Sequence, residues 1–576
     1  MTRLIRFLAL LPLLFASVLA AAEEAAKSIA ERIDETVAPI AVMADKIVFF
    51  GLEVTDGVVL PLVLVVLAFT AVFLTIYFRF INLRGFGIAL RTIRGKYTPK
   101  DAPGEITHFQ AVSAALSATV GLGNIGGVAV AVGVGGPGAT FWMIVMGLCG
   151  MTTKFAECTL GVKYRKFTKS GTVKGGAMYY LRDGLGEIGL GGLGKVLALI
   201  FAVFVIGGAF GAGNMFQANQ AFSQMSSTFP ALAGSSENGA VYFGLGMAIL
   251  TGLVILGGIV SIARVTSFLV PFMCGMYVIA ALVIIFGNIA ALPSAIATII
   301  GSAFSNDAVT GGLIGVLIQG VRRAAFSNEA GLGSAPIAHS AVKTNEPASE
   351  GFVALLEPFV DTVVVCTMSA LVLVITGTWQ ISAEVNPSGA SLVAAPGSSE
   401  VIRPLEKGQY VHTRKSEGDH IEVIGLVSST DRSAEKVEGW VAKSDLTSRS
   451  GVPVTSLAFA SVISWFPVLL TVAVILFAFS TMISWSYYGQ QGVMYLFSFL
   501  GDDKVKIPVV IYKVVFCLLI IVGASASLDN ILMLSDAMVF AMLIPNLIGV
   551  YFLLPVIKRE TVKYLALVKE VDGKRK

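Results

Sequence analysis

The sequence predicts an all-α polytopic membrane protein, and its composition and its apolar runs both support this fold class. Of the 576 residues, 55% are hydrophobic and only 14% are charged, and the mean hydropathy is +0.81. A soluble globular chain carries about 25% charged residues. Apolar runs of about 20 residues recur along the chain, and this length crosses about 30 Å of hydrocarbon. The composition therefore excludes a cytosolic enzyme, a nucleic-acid-binding protein and a disordered chain.

The amino-terminal segment has the order of features that is typical of a secretory signal peptide. Arg3 and Arg6 precede an apolar stretch that ends at Leu19, and small residues follow it. We therefore predict a signal peptide over residues 1–22, with an uncleaved first membrane helix as the alternative. Residues 23–57 carry charges of both signs, which indicates a periplasmic amino-terminal arm.

Eleven membrane spans are predicted after this arm. They form a transmembrane domain whose first part covers 58–383 and whose second part covers 450–557, and a tail follows at 558–576. Each span is an apolar run of membrane-crossing length. The predicted spans are 58–80, 108–133, 137–162, 194–224, 240–260, 267–288, 309–325, 352–378, 453–484, 507–525 and 530–556.

Basic residues are distributed unequally between the predicted loops. The loops 225–239 and 289–308 contain no Lys or Arg, whereas the loops on the other side are rich in both. By the positive-inside rule the basic side is cytoplasmic. We therefore expect a multi-pass protein of the cell inner membrane, with a periplasmic mature amino terminus and a cytoplasmic carboxyl terminus. The basic segments are 79–105, 163–174, Arg322 and Arg323, 504–506 and the tail 558–576.

Residues 384–449 differ from both flanking regions. They contain 18 charged residues, eight basic and ten acidic, and short alternating runs at 410–413, 421–427 and 437–441. Alternation of period two between polar turns predicts a small antiparallel sheet or barrel. Residues 439–446, GWVAKSDL, resemble the last strands of bacterial Src-homology-3-like domains. We expect a small periplasmic β domain that binds a peptide, a protein or the cell wall, and a non-binding insertion is the alternative.

A glycine cluster interrupts the second predicted span. Gly121 and Gly123 lie beside the polar residues Ser117, Thr119 and Asn124. Small residues allow close helix packing in lipid, but clustered glycines also unwind a helix so that its backbone can bind a ligand. Backbone N–H groups freed in this way would face an anionic carboxylate. Freed carbonyl groups, together with the Asn124 amide oxygen, would ligate a hard cation such as Na⁺.

This cluster and six further motifs resemble the alanine/glycine:cation symporter (sodium:alanine symporter) family. The resemblance runs in the family's order from about residue 58 to about residue 560, and only the charged insertion interrupts it. Many relatives have Thr where Leu122 stands, Trp where Ile144 stands and Glu-Arg where Gln490 and Gln491 stand. The motifs are GLGNI at 121–125, GGPGATFWM at 135–143, KFAE at 154–157, GAMYY at 176–180, GNMFQAN at 213–219, FSNEAG at 326–331 and WSYYG at 485–489.

The resemblance implies a fold and a function. The fold would be a five-plus-five inverted-repeat core like that of the leucine transporter, with 58–80 preceding the core, 108–133 as its first helix and its sixth helix near 309–325. The function would be sodium-coupled symport of small neutral amino acids, alanine and glycine, into the cell by alternating access. Alternatives are a symporter that is coupled to protons or carries another small zwitterion, and a transporter-like sensor that uses the periplasmic module.

The resemblance also implies ligands at the glycine cluster. The N–H groups near Gly121, Leu122 and Gly123 would bind the substrate carboxylate. The Thr119 carbonyl and the Asn124 side chain would help to hold one Na⁺. The change at Leu122 alters the size or polarity of the pocket, whereas a backbone contact at that position is kept.

A second sodium site is expected on the eighth core helix. Phe477, Ser480 and Thr481 have the spacing i, i+3, i+4 and therefore share one helix face. In proteins of the wider fold, a carbonyl and two hydroxyls at this spacing complete a Na⁺ site with two carbonyls of the first core helix, which are those of Ser117 and Val120 here. The alternative is that both hydroxyls bond to their own helix.

Other polar residues in or near the spans are also candidates for the site. Gln217 is a candidate contact for the substrate amino group, and Trp485 is a candidate residue for closing the pocket. Acidic residues inside a membrane are expensive unless they are paired or functional. We therefore expect Glu157 to pair with Lys154, and we consider Asp361 for a cation or proton path.

Two further expectations concern the inner end of the transport path and the absence of enzyme activity and of an organic cofactor. Glu329, beside Arg322 and Arg323, is expected to organise the inner gate. The five cysteines form no C-x-x-C pair, the four histidines have no metal spacing, and no phosphate-binding glycine loop is present. We therefore expect no enzyme activity and no organic cofactor. The expected partners are Na⁺, a small neutral amino acid, membrane lipid and a possible periplasmic or cell-wall partner of 384–449, with no nucleic acid.

Overall fold

A computed structural model describes nine segments of the chain. The predicted signal peptide and residues 23–37 and 56–57 of the predicted arm lie outside the described residues. Residues 38–48 form a helix, and a hairpin follows it. The described segments are 38–55, 58–99, 101–168, 171–230, 239–305, 312–428, 434–501, 503–526 and 528–574.

The α-helices of the first half alternate with π-helical turns and short loops. Two π turns interrupt longer helices, at Gly123–Gly127 and Gly211–Met215. A third follows a short helix at Tyr180–Gly184. The helices are α1 Leu62–Tyr77, α2 Ile81–Arg84, α3 Phe86–Thr92, α4 His108–Thr119, α5 Val128–Gly135, α6 Ala139–Lys163, α7 Ala177–Tyr179, α8 Leu185–Glu187, α9 Gly191–Phe210, α10 Phe216–Thr228, α11 Gly239–Ile255 and α12 Gly258–Gly287.

The helices of the second half include one further π segment, at Phe359–Cys366. The long helix α20 runs through the centre of the bundle and packs against α9, α10 and α4. The helices are α13 Leu292–Ser302, α14 Gly312–Asn328, α15 Ala335–His339, α16 Pro347–Ala354, α17 Leu356–Pro358, α18 Thr367–Ile375, α19 Val452–Ala460, α20 Phe466–Leu496, α21 Lys506–Ser525, α22 Leu528–Ala541, α23 Leu543–Phe552 and α24 Leu554–Gly573.

The described residues form a multi-pass helical membrane protein. Seven continuous helical stretches are long and apolar enough to cross a bilayer, and the bent pair of α4 with Gly123–Gly135 provides an eighth. Three shorter apolar helices lie at Leu62–Tyr77, Gly239–Ile255 and Ile289–Ser302. Two of these three coincide with predicted spans, and the predicted span 309–325 coincides with the α14 helix.

Several predicted boundaries are wrong, for local reasons. The predicted span 58–80 becomes helical only at Leu62, because the residues before it form a β-hairpin strand. The predicted loop 261–266 lies inside α12, and the turn occurs earlier, where Gly258 adopts a φ of +66°. The predicted span 453–484 is divided between α19 and α20, since the chain leaves the helical path between Ala460 and Phe466.

Two helix breaks meet near the centre of the bundle. The first lies between α4 and the π turn, where the axis bends by 52°. The second lies between α14 and α15, over residues 329–334. Glu329, Gly331 and Gly333 take left-handed φ values of +56°, +92° and +77° there. Glycine adopts this region without strain, whereas a glutamate rarely does, so the surrounding structure must hold Glu329 in place.

The charged insertion forms a seven-stranded antiparallel sheet with its own small apolar core. The alternating runs of the sequence fall within the strands Tyr410–Glu417, His420–Val427 and Ala434–Ala442. The first and last strands of the sheet, Ala383–Val385 and Leu446–Ser448, pair with each other, so the chain enters and leaves the sheet at adjacent positions. The strands are β1 Gly51–Thr55, β2 Val58–Pro61, β3 Lys166–Phe167, β4 Val173–Lys174, β5 Ala383–Val385, β6 Ala390–Val393, β7 Val401–Leu405, β8 Tyr410–Glu417, β9 His420–Val427, β10 Ala434–Ala442 and β11 Leu446–Ser448.

Candidate functional site

A small cavity lies where the two helix breaks meet. Its volume is about 20 Å³, so its walls lie close together. Both breaks contribute to it, together with α10, α20 and α22. The lining residues are Ala118, Thr119, Gly121, Gly123, Ala212, Gln217, Phe326, Glu329, Trp485 and Val539.

The predicted substrate residues occupy different positions relative to this cavity. Gly121 and Gly123 line it, whereas Leu122 is buried and is not among the lining residues. The Gly121 N–H donates to Asn124 Oδ1 at 2.8 Å. The two groups that we assigned to the substrate carboxylate and to Na⁺ therefore bond to each other in this structure, and they sit side by side at the break.

Gln217 presents an unpaired acceptor beside the break. Its Nε2 donates to the Ala212 carbonyl at 3.0 Å, while its Oε1 is buried without a hydrogen-bond partner among the described residues. That oxygen lies 3.6 Å from the position that a Cβ on Gly121 would take. A buried polar atom without a partner is expensive, and this one is placed to accept from a ligand in the cavity.

Glu329 lies in the cavity wall rather than in a gate with basic residues. Its Oε1 accepts from Trp485 Nε1 at 3.1 Å, and its Oε2 accepts from the Ser334 hydroxyl. Arg322 and Arg323 pair with Asp536 instead. The expected inner gate of Glu329 with these arginines is therefore wrong, because the left-handed turn at residue 329 directs the carboxylate towards Trp485.

The face of α20 that carries Ser480 and Thr481 contacts α4. Thr481 Oγ1 donates to the Ser117 carbonyl at 3.0 Å, and Ser117 Oγ donates to the Ser480 carbonyl at 2.6 Å. Ser480 Oγ donates to the Phe477 carbonyl of its own helix at 2.9 Å. One hydroxyl is thus bonded within its helix while the other reaches across. Val120 ends α4 beside this cluster and is fully buried.

A second polar cluster surrounds Asp361, which is fully buried. Its Oδ1 accepts from Asn124 Nδ2 at 2.6 Å, and its Oδ2 accepts from Ser327 Oγ at 2.8 Å and from Thr362 Oγ1 at 2.7 Å. Among the described residues, no Lys or Arg forms an ion pair with it. A buried carboxylate that has only neutral donors remains uncompensated unless it gains a proton or a cation.

The other amides and acids of the spans bond to groups elsewhere in the bundle. Asn214 and Asn219 donate to carbonyl groups at and after α21 and so attach the fourth span to it. Lys154 pairs with Glu357 at 3.0 Å, not with Glu157 as expected. Glu157 instead accepts from the Asn546 amide and from the backbone N–H of residue 333.

A cluster of charged residues lies between the cavity and the amino-terminal helix. We call Asp45, Arg322, Arg323 and Asp536 the arm-side cluster. Arg322 pairs with Asp536 at 2.7 Å, lies 3.9 Å from Asp45, and stacks 4.2 Å above the Phe49 ring. Arg322 therefore shares a side with the amino-terminal arm, and the sequence-based assignment of both arginines to the opposite, cytoplasmic side is wrong.

Comparison with known proteins gives a consistent result over most of the chain. The profile of the sodium:alanine symporter family matches residues 46–403 and 435–575. The sodium/alanine symporter AgcS of Methanococcus maripaludis is 38% identical over 502 residues, which are 87% of this chain and 93% of that protein. The amino-acid carrier protein AlsT of Bacillus subtilis is 29% identical over 483 residues, 84% of each chain. The crystal structure of MhsT in complex with L-phenylalanine aligns with a TM-score of 0.46 at 14% identity, over 77% of this chain and 89% of that one.

Proposed function

This chain belongs to the sodium:alanine symporter family, and we propose that it imports alanine and glycine together with Na⁺ by alternating access. Membership of the family makes it a multi-pass membrane transporter that couples amino-acid symport to sodium, and not an enzyme. The proposal adds the substrates, the direction and the residues that bind each solute.

The cavity offers complementary groups for a small zwitterion. The backbone from Gly121 to Gly123, including the Leu122 N–H, supplies N–H groups for the carboxylate, and the Gly121 N–H would exchange its present acceptor, Asn124 Oδ1, for it. The unpaired Gln217 Oε1 and the Glu329 carboxylate supply acceptors for the ammonium group. The Trp485 ring closes one wall, which favours substrates with a small side chain.

The buried Asp361 carboxylate is the observation that carries the sodium proposal. It has three neutral donors, and one of these is Asn124, whose amide also contacts the helix break. We assign a Na⁺ to this place, with the Thr119 carbonyl, the Asn124 side chain and Asp361 as ligands. Sodium is a hard cation and takes oxygen ligands, and it would supply the charge that the carboxylate lacks.

A second Na⁺ is assigned between α4 and α20. Its ligands are the carbonyls of Ser117, Val120 and Phe477 and the hydroxyls of Ser480 and Thr481. This assignment is supported by the Thr481 hydroxyl, which donates to the Ser117 carbonyl of α4 instead of to a carbonyl of its own helix. Both oxygens already lie at the helix break, so a cation placed between them would join the two helices.

The test is uptake of labelled alanine into proteoliposomes that contain the purified full-length chain. An inward Na⁺ gradient should accelerate uptake, and Thr481→Ala should raise the Na⁺ concentration for half-maximal uptake because it removes one ligand. Thr481→Ser keeps the hydroxyl and should restore the wild-type requirement. Ser486→Ala on the same helix is the matched control, since its hydroxyl bonds within α20 at 2.7 Å. Equal uptake with choline in place of Na⁺ at fixed pH would exclude sodium coupling and favour protons.

We also assign the finer architecture and orientation on the sequence pattern. The chain has eleven spans in the inner membrane, surrounded by lipid: one span at 58–80 precedes a core of ten, which are arranged as five plus five inverted repeats. The mature amino terminus is periplasmic and the tail 558–576 is cytoplasmic. A cysteine at position 416 should then react with an impermeant reagent from the periplasmic side, and labelling only from the cytoplasm would contradict this orientation.

We assign residues 384–449 to a periplasmic accessory domain that binds a protein or the cell wall and is not part of the transport path. The antiparallel pairing of β5 with β11 supports this, because it brings the two ends of the insertion within one strand spacing, about 5 Å. Replacing 384–449 by a short Gly/Ser linker should therefore keep Na⁺-driven alanine uptake at the wild-type rate. A folded deletion protein that is inactive would show instead that the domain takes part in gating.

A further inference from the structure

A chain of buried titratable side chains lies beside the second helix break. We call His108, Lys154, His339, Glu350 and Glu357 the histidine–carboxylate network. His108 is 4% exposed and the other four are fully buried. Such groups are almost never fully buried unless they are paired, and each of these contacts at least one other member.

The contacts form a continuous line across five helices. His108 Nδ1 contacts Glu350 Oε1, and Glu350 Oε2 lies 2.5 Å from His339 Nδ1. His339 Nε2 lies 2.5 Å from Glu357 Oε1, and Lys154 Nζ donates to Glu357 Oε2 at 3.0 Å. His339 therefore places both of its ring nitrogens against carboxylate oxygens.

The two contacts of His339 require one proton more than a neutral imidazole ring and two ionised carboxylates supply. A neutral imidazole has one N–H donor and one lone pair, and an ionised carboxylate only accepts. One of the two contacts of His339 would then place two lone pairs 2.5 Å apart. A proton on the second ring nitrogen, or on either carboxyl, turns that contact into a hydrogen bond.

The charge balance leads to the same conclusion. With His339 protonated, the two cations Lys154 and His339 balance the two anions Glu350 and Glu357. Without that proton, the fully buried group carries a net negative charge, and an uncompensated buried charge is strongly destabilising. His108 can remain neutral, because its Nε2 accepts from or donates to the Thr98 hydroxyl at 2.6 Å.

We propose that His339, Glu350 and Glu357 form a proton-binding site that is occupied whenever the histidine–carboxylate network is closed. The site is separate from the cavity residues and from the two assigned Na⁺ positions. The proton site itself depends on neither the substrate nor the coupling ion, so its direct test by NMR is independent of the proposed function, and only the uptake measurement rests on it.

The surroundings of His339 are consistent with a bound proton. The helix α15, which carries His339, packs against α4, α6, α16 and α20. Burial alone lowers the pKa of His339, but Glu357 and Glu350 outweigh this effect and hold the pKa above its ordinary value. The other charged or titratable groups near this region are His108 from α4, Lys154, Glu157 and Cys158 from α6, Arg165 beyond its end, Glu329 from the second break, Tyr488 from α20 and Tyr564 from α24.

The position of α15 connects the proton to movement at the cavity. This helix directly follows the break at 329–334, and the break carries Glu329, which lines the cavity. A rearrangement of the break during transport would pull His339 away from the two carboxylates. Because the closed network holds one more proton than the separated groups do, opening releases a proton and closing takes one up.

Nitrogen NMR of the purified full-length chain labelled with ¹⁵N-histidine tests the site directly. The chain has only four histidines, so His→Gln variants assign each signal. At pH 7 we expect both ring nitrogens of His339 to be protonated. If the proton lies on a carboxyl instead, we expect an infrared band of a neutral carboxyl group, and Glu350→Gln or Glu357→Gln should remove that band. A neutral His339 together with two ionised carboxylates would overturn the proposal.

A second measurement separates a proton site from a structural contact. Alanine uptake as a function of pH should follow a one-proton titration, from about 90% to about 10% of its maximum over about two pH units. His339→Gln should remove this dependence of uptake on pH. If the His339→Gln variant does not fold, Glu350→Gln should show the same loss. His420→Gln, in the β domain, is the matched control and should keep the wild-type profile. An unchanged profile in the folded His339 or Glu350 variant would also overturn the proposal.

Discussion

The two groups of charged residues on either side of the cavity differ in their access to water. In the arm-side cluster, the side chains of Arg322 and Asp45 are 23% and 35% exposed, whereas those of Arg323 and Asp536 are 7% and 1% exposed. In the histidine–carboxylate network, Lys154, His339 and Glu357 have no exposed surface. Water can therefore replace a lost partner of Arg322 or Asp45 in the first group, and it cannot do so for any of these three residues in the second.

This difference has an energetic consequence for a protein that must open alternately on two sides. Ion pairs with access to water contribute about 0–1 kcal/mol, so they can break and re-form with little change in free energy. Removing one partner of a buried pair costs about 3–5 kcal/mol, because the other charge remains uncompensated. When it opens, the buried network therefore has to exchange a proton or a partner. Arg322 and Asp45 of the arm-side cluster only have to form contacts with water.

The largest expected effect comes from removing one cation from each group. Lys154→Met leaves the network with a net buried negative charge and should destabilise the protein by about 3–5 kcal/mol. Arg322→Met should cost about 1 kcal/mol or less, because Arg323 remains 3.5 Å from Asp536. Thermal unfolding of both variants in the same detergent measures the difference.

The control for this prediction is a double variant. Lys154→Met combined with Glu357→Gln removes both charges of the pair and should recover part of the lost stability. If Lys154→Met and Arg322→Met destabilise equally, burial does not distinguish the two groups, and the comparison is wrong.

A smaller effect is expected at the cavity wall between the two groups. A Cβ on Gly213 would lie 2.2 Å from Trp485 Cβ, so Gly213→Ala must displace the ring that bonds to Glu329. Such overpacking costs about 1–3 kcal/mol, and we expect it to reduce alanine uptake. Gly246→Ala, on α11 with no atom within 4 Å of its Cβ position, is the matched control and should leave uptake unchanged. Equal uptake in both variants would show that the position of Trp485 does not limit transport.

Local sequence patterns predicted one of the two helix breaks and missed the other. The glycine cluster at 121–123 indicated the first break because its glycines stand beside polar residues inside an apolar run. The second break contains the same Gly-Leu-Gly triplet at 331–333, and this repetition was the signal that could have revealed it. It was missed because the predicted span had already ended at 325, before the triplet.

Pairings between distant residues were the least predictable part of the site. The spacing of Phe477, Ser480 and Thr481 predicted a shared helix face, since helical periodicity is a local property. The partner of Lys154 was assigned to Glu157, three residues away, whereas the structure places Glu357 there, 203 residues away. Only the packing of α6 against α16 and α17 brings these two side chains together, and no spacing rule contains that information.

The smallest expected effect is a pH-dependent release of the amino-terminal helix from the arm-side cluster. Burial raises the pKa of Asp45 above its ordinary value, the nearby Arg322 opposes this, and Asp536 adds to it. Because the pKa is raised in the docked state, docking is strongest below the ordinary pKa of the carboxyl and weakens as the pH rises through the raised value. Hydrogen exchange of the amides at 41–49, corrected for intrinsic rates, should therefore show more protection near pH 4 than near pH 7. Asp45→Asn should remove this dependence, while Asp503→Asn, at a side chain that is 98% exposed, should retain it. Protection that increases with pH would show that the attraction of Arg322 outweighs burial, and the arm-side cluster would then resemble the buried network more closely than we infer.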